Sequence, residues 1–296
     1  MPELPEVQTI IDDLNKVILN KKIKKVNILL SRIVKDSNDH FIKILKNTSF
    51  QNISRRGKYI IISLNSGSFL IIHLRMTGQV IYQQGNNLIA GGHSDKNNNF
   101  LTASRSSGQV NLPNRQTHLI ITFNDNSQLF YNDQRQFGYL EIVDQKGLDK
   151  IKNKLGVEPL SRQFTLKYLK ILLKKSKRNI KAFLLDQKHI AGLGNIYVDE
   201  SLFLAHVLPT RSVDSLNKRE INGLYQAIKK VLKLAIKCRG TTFNNYKDAH
   251  GRKGSFMSRL KVYGQEDKKC FQCRKGIIKK IRVAGRGTRY CPQCQK

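Results

Sequence analysis

The chain has 296 residues, with 53 Lys and Arg against 21 Asp and Glu, a net charge of +32. That excess points to a polyanionic partner, because each cationic side chain near a phosphate releases condensed counterions. No run of 18 apolar residues exists, which excludes a membrane-spanning helix, and the amphipathic, acid-bearing first turns do not read as a signal peptide.

The chain opens Met1-Pro2-Glu3-Leu4-Pro5-Glu6. Removal of Met1 would leave Pro2 with a free secondary amine, a nucleophile that no other residue can supply. An α-amino group titrates near pH ~8, so part of it is unprotonated in a cell. Val7, Ile10, Ile11, Leu14, Val17 and Ile18 recur at helical spacing and predict a helix from this point. Its positive end disfavours the protonated amine, and Glu3 and Glu6 share one face of the first turn.

Short apolar runs predict strands at 24–30, 41–45, 59–64, 69–74, 80–82, 119–123, 128–131 and 139–143. Turn-type residues at 65–68 and 124–127 join two of these pairs, and many short strands suggest an antiparallel sandwich. Within this half, Arg55-Arg56-Gly57-Lys58-Tyr59 is a basic turn entering a strand, where Lys58 either contacts a phosphate, moves a proton or is simply solvated. His73-Leu74-Arg75-Met76-Thr77-Gly78 closes a buried-type strand, and Met76 suits either a core or a wedge between base pairs. Asp133-Gln134-Arg135-Gln136-Phe137-Gly138 sets a hydrogen-bonding fork beside a stacking ring. Residues 85–117, rich in Gly, Asn and Ser, read as a long loop.

Near residue 150 the pattern changes to helices, predicted at 165–175, 179–185, 198–205 and 215–237. Ile190-Ala191-Gly192-Leu193-Gly194-Asn195 joins two of them, and reads either as an ordinary corner or as a helix start whose N–H groups, with Asn195, bind a phosphate. Cys270-x2-Cys273 and Cys291-x2-Cys294, separated by 17 residues, are two knuckles that complete a tetrahedral thiolate shell for one structural Zn²⁺. Four thiolates leave no open coordination position, and the metal supplies the stability that so short a tail lacks. Between the knuckles, Arg286 stands beside a glycine turn with its fork suited to a phosphate.

Taken in order, the strings MPELPEV, RRGKY, HLRMTG, DQRQFG, LDQKHIAGLGNIYVDE, KVYG and AGRGTRYCPQCQ resemble formamidopyrimidine-DNA glycosylase from end to end. The resemblance implies an α+β multidomain fold. Residues 1–148 would form a catalytic β-sandwich with flanking helices, 149–257 a helix–two-turn–helix domain and 258–296 a zinc-finger hairpin, with double-stranded DNA between. It further implies that Pro2 attacks C1′ of a flipped-out oxidised purine nucleoside, that Glu3 is general acid and base, and that Glu6 organises the site. Lys58 would contact a phosphate and assist, while Asn195, Arg286, His73 and Tyr263 would hold flanking phosphates. Met76, Arg135 and Phe137 would fill the vacated space. The segment RGTTFNNYKDAHGRKGSF resembles the family's loop over the damaged base, with Thr242, Phe243, Asn244, Asn245 and Tyr246 bringing backbone N–H groups to it.

The implied protein is a cytoplasmic, nucleoid-associated monomer without a membrane partner. Three departures stand out: Gln134 where the family usually has proline, Arg289 where it usually has histidine, and the length of the polar stretch at 85–117. Two other readings stay open at this point, a relative that prefers oxidised pyrimidines and a zinc-ribbon DNA-binding protein without catalysis.

Overall fold

The computed structural model describes residues 1–92, 112–174, 176–241 and 255–296. It forms two compact units, one of residues 1–152 with 239–255 and one of 153–238 with 256–296.

The first unit begins with helix α1 (Leu4–Val17), which Glu3 and Glu6 start with a capping box. Its apolar face, with Val7, Ile10, Ile11 and Leu14, enters the main core. Strands β1 (Ile23–Ile28), helix α2 (Asn38–Leu45), β2 (Phe50–Arg56), β3 (Tyr59–Leu64), β4 (Phe69–His73), β5 (Gly78–Gln84), β6 (Asn87–Gly92), β7 (Thr117–Phe123), β8 (Gln128–Asp133) and β9 (Tyr139–Val143) follow, then α3 (Gln145–Asn153). All paired strands are antiparallel, in sheets of order β1-β7-β8-β5-β6 and β2-β3-β4-β9. The sheets face each other over one core, where Phe50 of β2 meets Phe123 of β7 edge to face at 5.8 Å. Strand β3 is apolar on both faces because Ile60 and Ile62 enter that core while Ile61 packs outward with Leu148 of α3.

The sandwich expectation holds, with three local differences. Residues 41–45 are helical, since Ser37 caps α2 through the His40 N–H and only Phe41 and Leu45, four apart, are fully buried. Strand β2 escaped notice because its inward residues, Phe50 and Ile53, are diluted by a polar, solvent-facing set. The stretch at 85–117 is not wholly a loop, for β6 pairs with β5 inside it. A Cβ on Gly91 of β6 would meet Ile10 Cγ1 of α1 at 2.3 Å, so small residues serve close helix–sheet packing there.

The second unit holds α4 (Leu166–Lys174), α5 (Ile180–Leu185), α6 (Asn195–Leu204) and α7 (Lys218–Lys237), which share an apolar core. Asn179 caps α5 and Asn217 caps α7 with a capping box to Glu220. The tail adds a hairpin, β10 (Lys279–Val283) and β11 (Arg286–Tyr290). Its two-residue turn has Ala284 and Gly285 at φ 50° and 72°, the twist that matches the strands.

Candidate active site and nucleic-acid interface

At the N-terminus Pro2 is buried, and Glu3 and Glu6 are 3% and 1% exposed. The Glu3 N–H donates to Glu6 Oε2 at 2.9 Å. Glu6 Oε1 accepts the N–H and the hydroxyl of Thr241 at 2.9 and 3.0 Å. Gly240 reaches this position at φ +80°, and a Cβ there would lie 2.7 Å from Glu6 Oε1. Arg239 Nη2 meets Asp13 Oδ2 at 2.5 Å, a second tie between α1 and the same segment. Glu6 thus joins the start of α1 to residues 240–241. Sequence reading does not assign these contacts of Asp13, Arg239, Gly240 and Thr241; the only signal is the RGTT opening of the segment. Residues 242–246 lie outside the described residues.

The turn at Lys58 is held from the same helix. Arg55 donates Nε to Gln8 Oε1 at 3.1 Å and Nη1 to the Gly57 carbonyl at 2.9 Å, and Gly57 turns the chain at φ 58°. Lys58 itself is only 7% exposed, unlike a solvated turn lysine. Across the sheet Tyr59 pairs with His73. The His73 ring lies edge-on to Tyr59 at 4.6 Å and stacked with Tyr139 at 5.7 Å. Burial, with the charges of Arg75 and Lys58, holds its pKa down to about 3. The Arg75 N–H donates to His73 Nδ1 at 3.1 Å, which assigns the proton to Nε2. His73 is therefore a neutral donor within a cationic cluster, and that combination suits a phosphate oxygen. Burial also pushes the Tyr59 hydroxyl up to about 12.

Met76 sits half-buried in the turn after β4, and Arg135 and Phe137 sit in the turn after β8. Phe137 is 54% exposed, with the Arg135 guanidinium over its ring at 4.6 Å. The β5–β8 pairing, Gly78 opposite Asp133, brings these two turns to one end of one sheet.

In the second unit, Gln187 shapes the turn before α6 by accepting the Gly192 N–H at 2.8 Å and donating to the Leu193 carbonyl at 2.7 Å. It too was missed, because a glutamine in a glycine-bearing corner carries no spacing signal. Asn195 opens α6 and donates Nδ2 to the Gly287 carbonyl of the hairpin at 3.0 Å. Fully buried Lys181 and Asp199 pair at 2.6 Å, and Asp199 Oδ2 accepts the Arg289 N–H at 3.0 Å. Glu200 accepts the N–H groups of Lys261, Val262 and Tyr263 at 2.9–3.1 Å. Burial nonetheless pushes its carboxyl upward. Arg289 lies over the Tyr263 ring at 4.3 Å and donates Nε to Glu266 at 2.8 Å. Asn195, Tyr263 and Arg286 are in this way carried by one cross-braced assembly, and the departure at Arg289 is part of its bracing.

The four cysteines fit a Zn²⁺ ion. All their Sγ atoms lie within 4.8 Å of one another, and Cys270–Cys294 and Cys273–Cys291 are each 3.7 Å apart. A tetrahedron with Zn–S of about 2.3 Å has edges near 3.8 Å. The Gly276 N–H donates to Cys273 Sγ at 3.3 Å, which favours the thiolate, and a Cβ on Gly276 would press on Cys291 Sγ at 2.8 Å.

Comparison with known proteins gives three family matches in chain order. They are the formamidopyrimidine-DNA glycosylase N-terminal domain over residues 1–140, the H2TH domain of the same enzymes over 155–247, and a zinc finger found in FPG and IleRS over 267–296. Formamidopyrimidine-DNA glycosylase of Carboxydothermus hydrogenoformans is 41% identical over 297 residues, covering 100% of both chains. The chain belongs to the formamidopyrimidine-DNA glycosylase family. The relative of that name from Ureaplasma parvum is 38% identical, again covering 100% of both chains. Among solved structures, a Lactococcus lactis Fpg variant in complex with Fapy-dG-containing DNA superposes with TM-score 0.84 at 36% identity, covering 100% of both chains. Lactococcus lactis Fpg bound to DNA with an abasic site gives 0.82 at 35% identity, covering 99% of each. Membership accounts for the family's three-part order and for the zinc cysteines. No helix among the described residues is long and apolar enough to cross a membrane.

Proposed function

We propose that this chain is a bifunctional DNA glycosylase and AP lyase that excises oxidised purines, 8-oxoguanine and formamidopyrimidines, from double-stranded DNA. The observation that carries this reading is the N-terminus: Pro2 directly precedes a helix cap built from two buried carboxylates, Glu3 and Glu6. Once Met1 is removed, the Pro2 amine attacks C1′ of an extruded nucleotide, and the electron pair of the N-glycosidic bond leaves with the base. Glu3 donates a proton to the ring oxygen as the sugar opens and an iminium forms. The iminium acidifies C2′, so loss of that proton expels the 3′ phosphate, and a second elimination expels the 5′ phosphate. Water then releases Pro2. Lys58 and His73 hold a backbone phosphate near the reacting sugar, Met76, Arg135 and Phe137 occupy the vacated stack, and Asn195, Tyr263 and Arg286 grip flanking phosphates. Zn²⁺ has no part in the chemistry and keeps the Arg286 hairpin folded.

The division at 1–148, 149–257 and 258–296 assigns chemistry to the sandwich and phosphate grip to the rest, with residues 242–246 over the damaged base. The net charge of +32 supports work on a polyanion such as DNA, and action as a monomer on the nucleoid in the cytoplasm belongs to the same proposal. Borohydride trapping is the test. The mature protein should form a covalent adduct with a duplex carrying 8-oxoguanine opposite cytosine, and Pro2→Gly or retained Met1 should abolish it. No adduct from the mature protein would leave only a DNA-binding protein, and preference for thymine glycol would move the assignment to oxidised pyrimidines.

A further inference from the structure

Asp133 is fully buried at the end of β8, where the turns of Met76 and of Arg135 and Phe137 come together. Its Oδ1 accepts the Thr77 hydroxyl in a short hydrogen bond and the Arg135 N–H at 3.2 Å. The same Arg135 N–H reaches Thr77 Oγ1 at 3.0 Å, so hydroxyl, amide and carboxylate close a three-membered ring of hydrogen bonds. Oδ2 accepts the Gly138 N–H at 2.7 Å and the Tyr131 hydroxyl at 3.5 Å. A Cβ on Gly138 would lie 1.9 Å from that hydroxyl, so the second turn is pressed onto the carboxylate. Thr77 directly follows Met76, while Arg135 and Gly138 bracket Phe137. Each of the two oxygens thus takes two donors, and together they tie both turns.

Turn residues ordinarily have many conformations, and Gln136 at the tip of the second turn is already left-handed at φ 56°. Side chains that enter a base stack must offset unstacking, and ordering them at that moment would add its own entropic cost. From this juxtaposition we propose that Asp133 is a positioning residue that joins the Met76 turn and the Arg135–Phe137 turn, through Thr77, into one preorganised wedge. This rests on the reading of the chain as a base-flipping glycosylase, and assigns to a residue that touches no DNA control over extrusion. Asn at 133 keeps the shape but turns an amide NH2 toward donors, so one of the two turns loses its anchor. Thr77→Val removes only the hydroxyl, and Thr77→Ser keeps it.

The experiment compares two substrates with the mature protein. One is a duplex with 8-oxoguanine opposite cytosine, followed by single-turnover excision. The other is a single-stranded oligonucleotide with a preformed abasic site, which has no base to extrude, followed by borohydride trapping. Asp133→Asn and Thr77→Val should slow duplex excision roughly tenfold or more and leave trapping within about threefold, while Thr77→Ser, which keeps the hydroxyl, should excise at close to the wild-type rate. Equal losses on both substrates would overturn the proposal in favour of a general folding role, as would unaltered duplex excision. Thr77→Val also answers the question if Asp133→Asn fails to fold. A wild-type protein that traps the abasic strand but never excises the purine refutes the substrate reading; normal wild-type excision with unaffected variants refutes the wedge alone.

Discussion

Glu6 and Thr241 lie 235 residues apart in the chain, yet Glu6 Oε1 accepts both the N–H and the hydroxyl of Thr241. Because Glu6 Oε2 accepts the Glu3 N–H, one buried carboxylate sets the first turn of α1 and receives the residues that lead into the 242–246 segment. The start of the chain and a remote segment are thereby held on the same two oxygens.

Gly240→Ala tests this anchor without removing a charge. The methyl would stand 2.7 Å from Glu6 Oε1 on a backbone with φ +80°, so contact and conformation both oppose it. A loss of about 1–3 kcal/mol in urea unfolding is expected. Excision should fall more than DNA affinity does, since the displaced atoms adjoin Glu3 and Pro2. Glu6→Gln should behave similarly, because its NH2 must face one of two sets of donors. A Gly240→Ala protein with native melting and native excision would remove the anchor from the account.

Stability below neutral pH should carry the mark of His73. Its pKa is near 3 in the fold and about 6.5 in an unfolded chain, so the unfolded state binds the extra proton between these values. Stability is fully present above pH ~6.5 and declines as pH falls toward 3, with a maximal slope of about 1.4 kcal/mol per pH unit. Roughly 2 kcal/mol should be lost by pH 5, and His73→Gln should flatten that part of the curve in urea titrations while weakening phosphate contact. Activity between pH 6 and 8 should show no titration that His73→Gln removes, because the imidazole is neutral throughout.

The legible parts of this molecule are those in which neighbours in sequence are partners in space. The CxxC knuckles that bring four sulfurs together, the glycine corner that starts α6 at Asn195 and the helix start after Pro2 are each written within a few residues. What sequence hid are contacts closed by folding: Thr241 on Glu6, Arg289 beneath Tyr263, Asp133 between two turns, Gln187 inside its corner. None of these has a period or a spacing, and a buried Asp or Gln looks like a surface residue in one dimension. The error at 41–45 has the same origin, since a short apolar run does not tell strand from helix without the Ser37 cap.

Zinc removal should act on DNA grip before it acts on chemistry. The hairpin core is small, with Val262, Ile278, Cys270 and Cys291 beside Phe203, so a metal held by the four thiolates would supply much of its folding energy. One zinc per chain is expected by elemental analysis. Chelation or Cys294→Ser should release it and lower duplex affinity strongly as Arg286 loses its frame. Borohydride trapping of a single-stranded abasic oligonucleotide at high protein concentration should persist, because Pro2, Glu3 and Glu6 belong to the other unit. Simultaneous loss of trapping and binding would show that the metal supports the whole chain.

The Lys181–Asp199 pair should prove costly to break and informative when replaced whole. Both side chains are fully buried, and Asp199 also receives the Arg289 N–H while Lys181 reaches the Gly287 carbonyl at 3.4 Å. Lys181→Met alone strands a buried carboxylate, and Asp199→Leu alone strands a buried ammonium and removes the acceptor of the Arg289 N–H; each is expected to cost about 3–5 kcal/mol. The double variant removes both charges and should recover much of that stability. It should not recover DNA affinity, because the Asp199 bond to the Arg289 amide positions the strand that begins with Arg286. Full recovery of both stability and binding in the double variant would reduce the pair to a packing element, while recovery of stability alone would assign it the placement of the hairpin on α6.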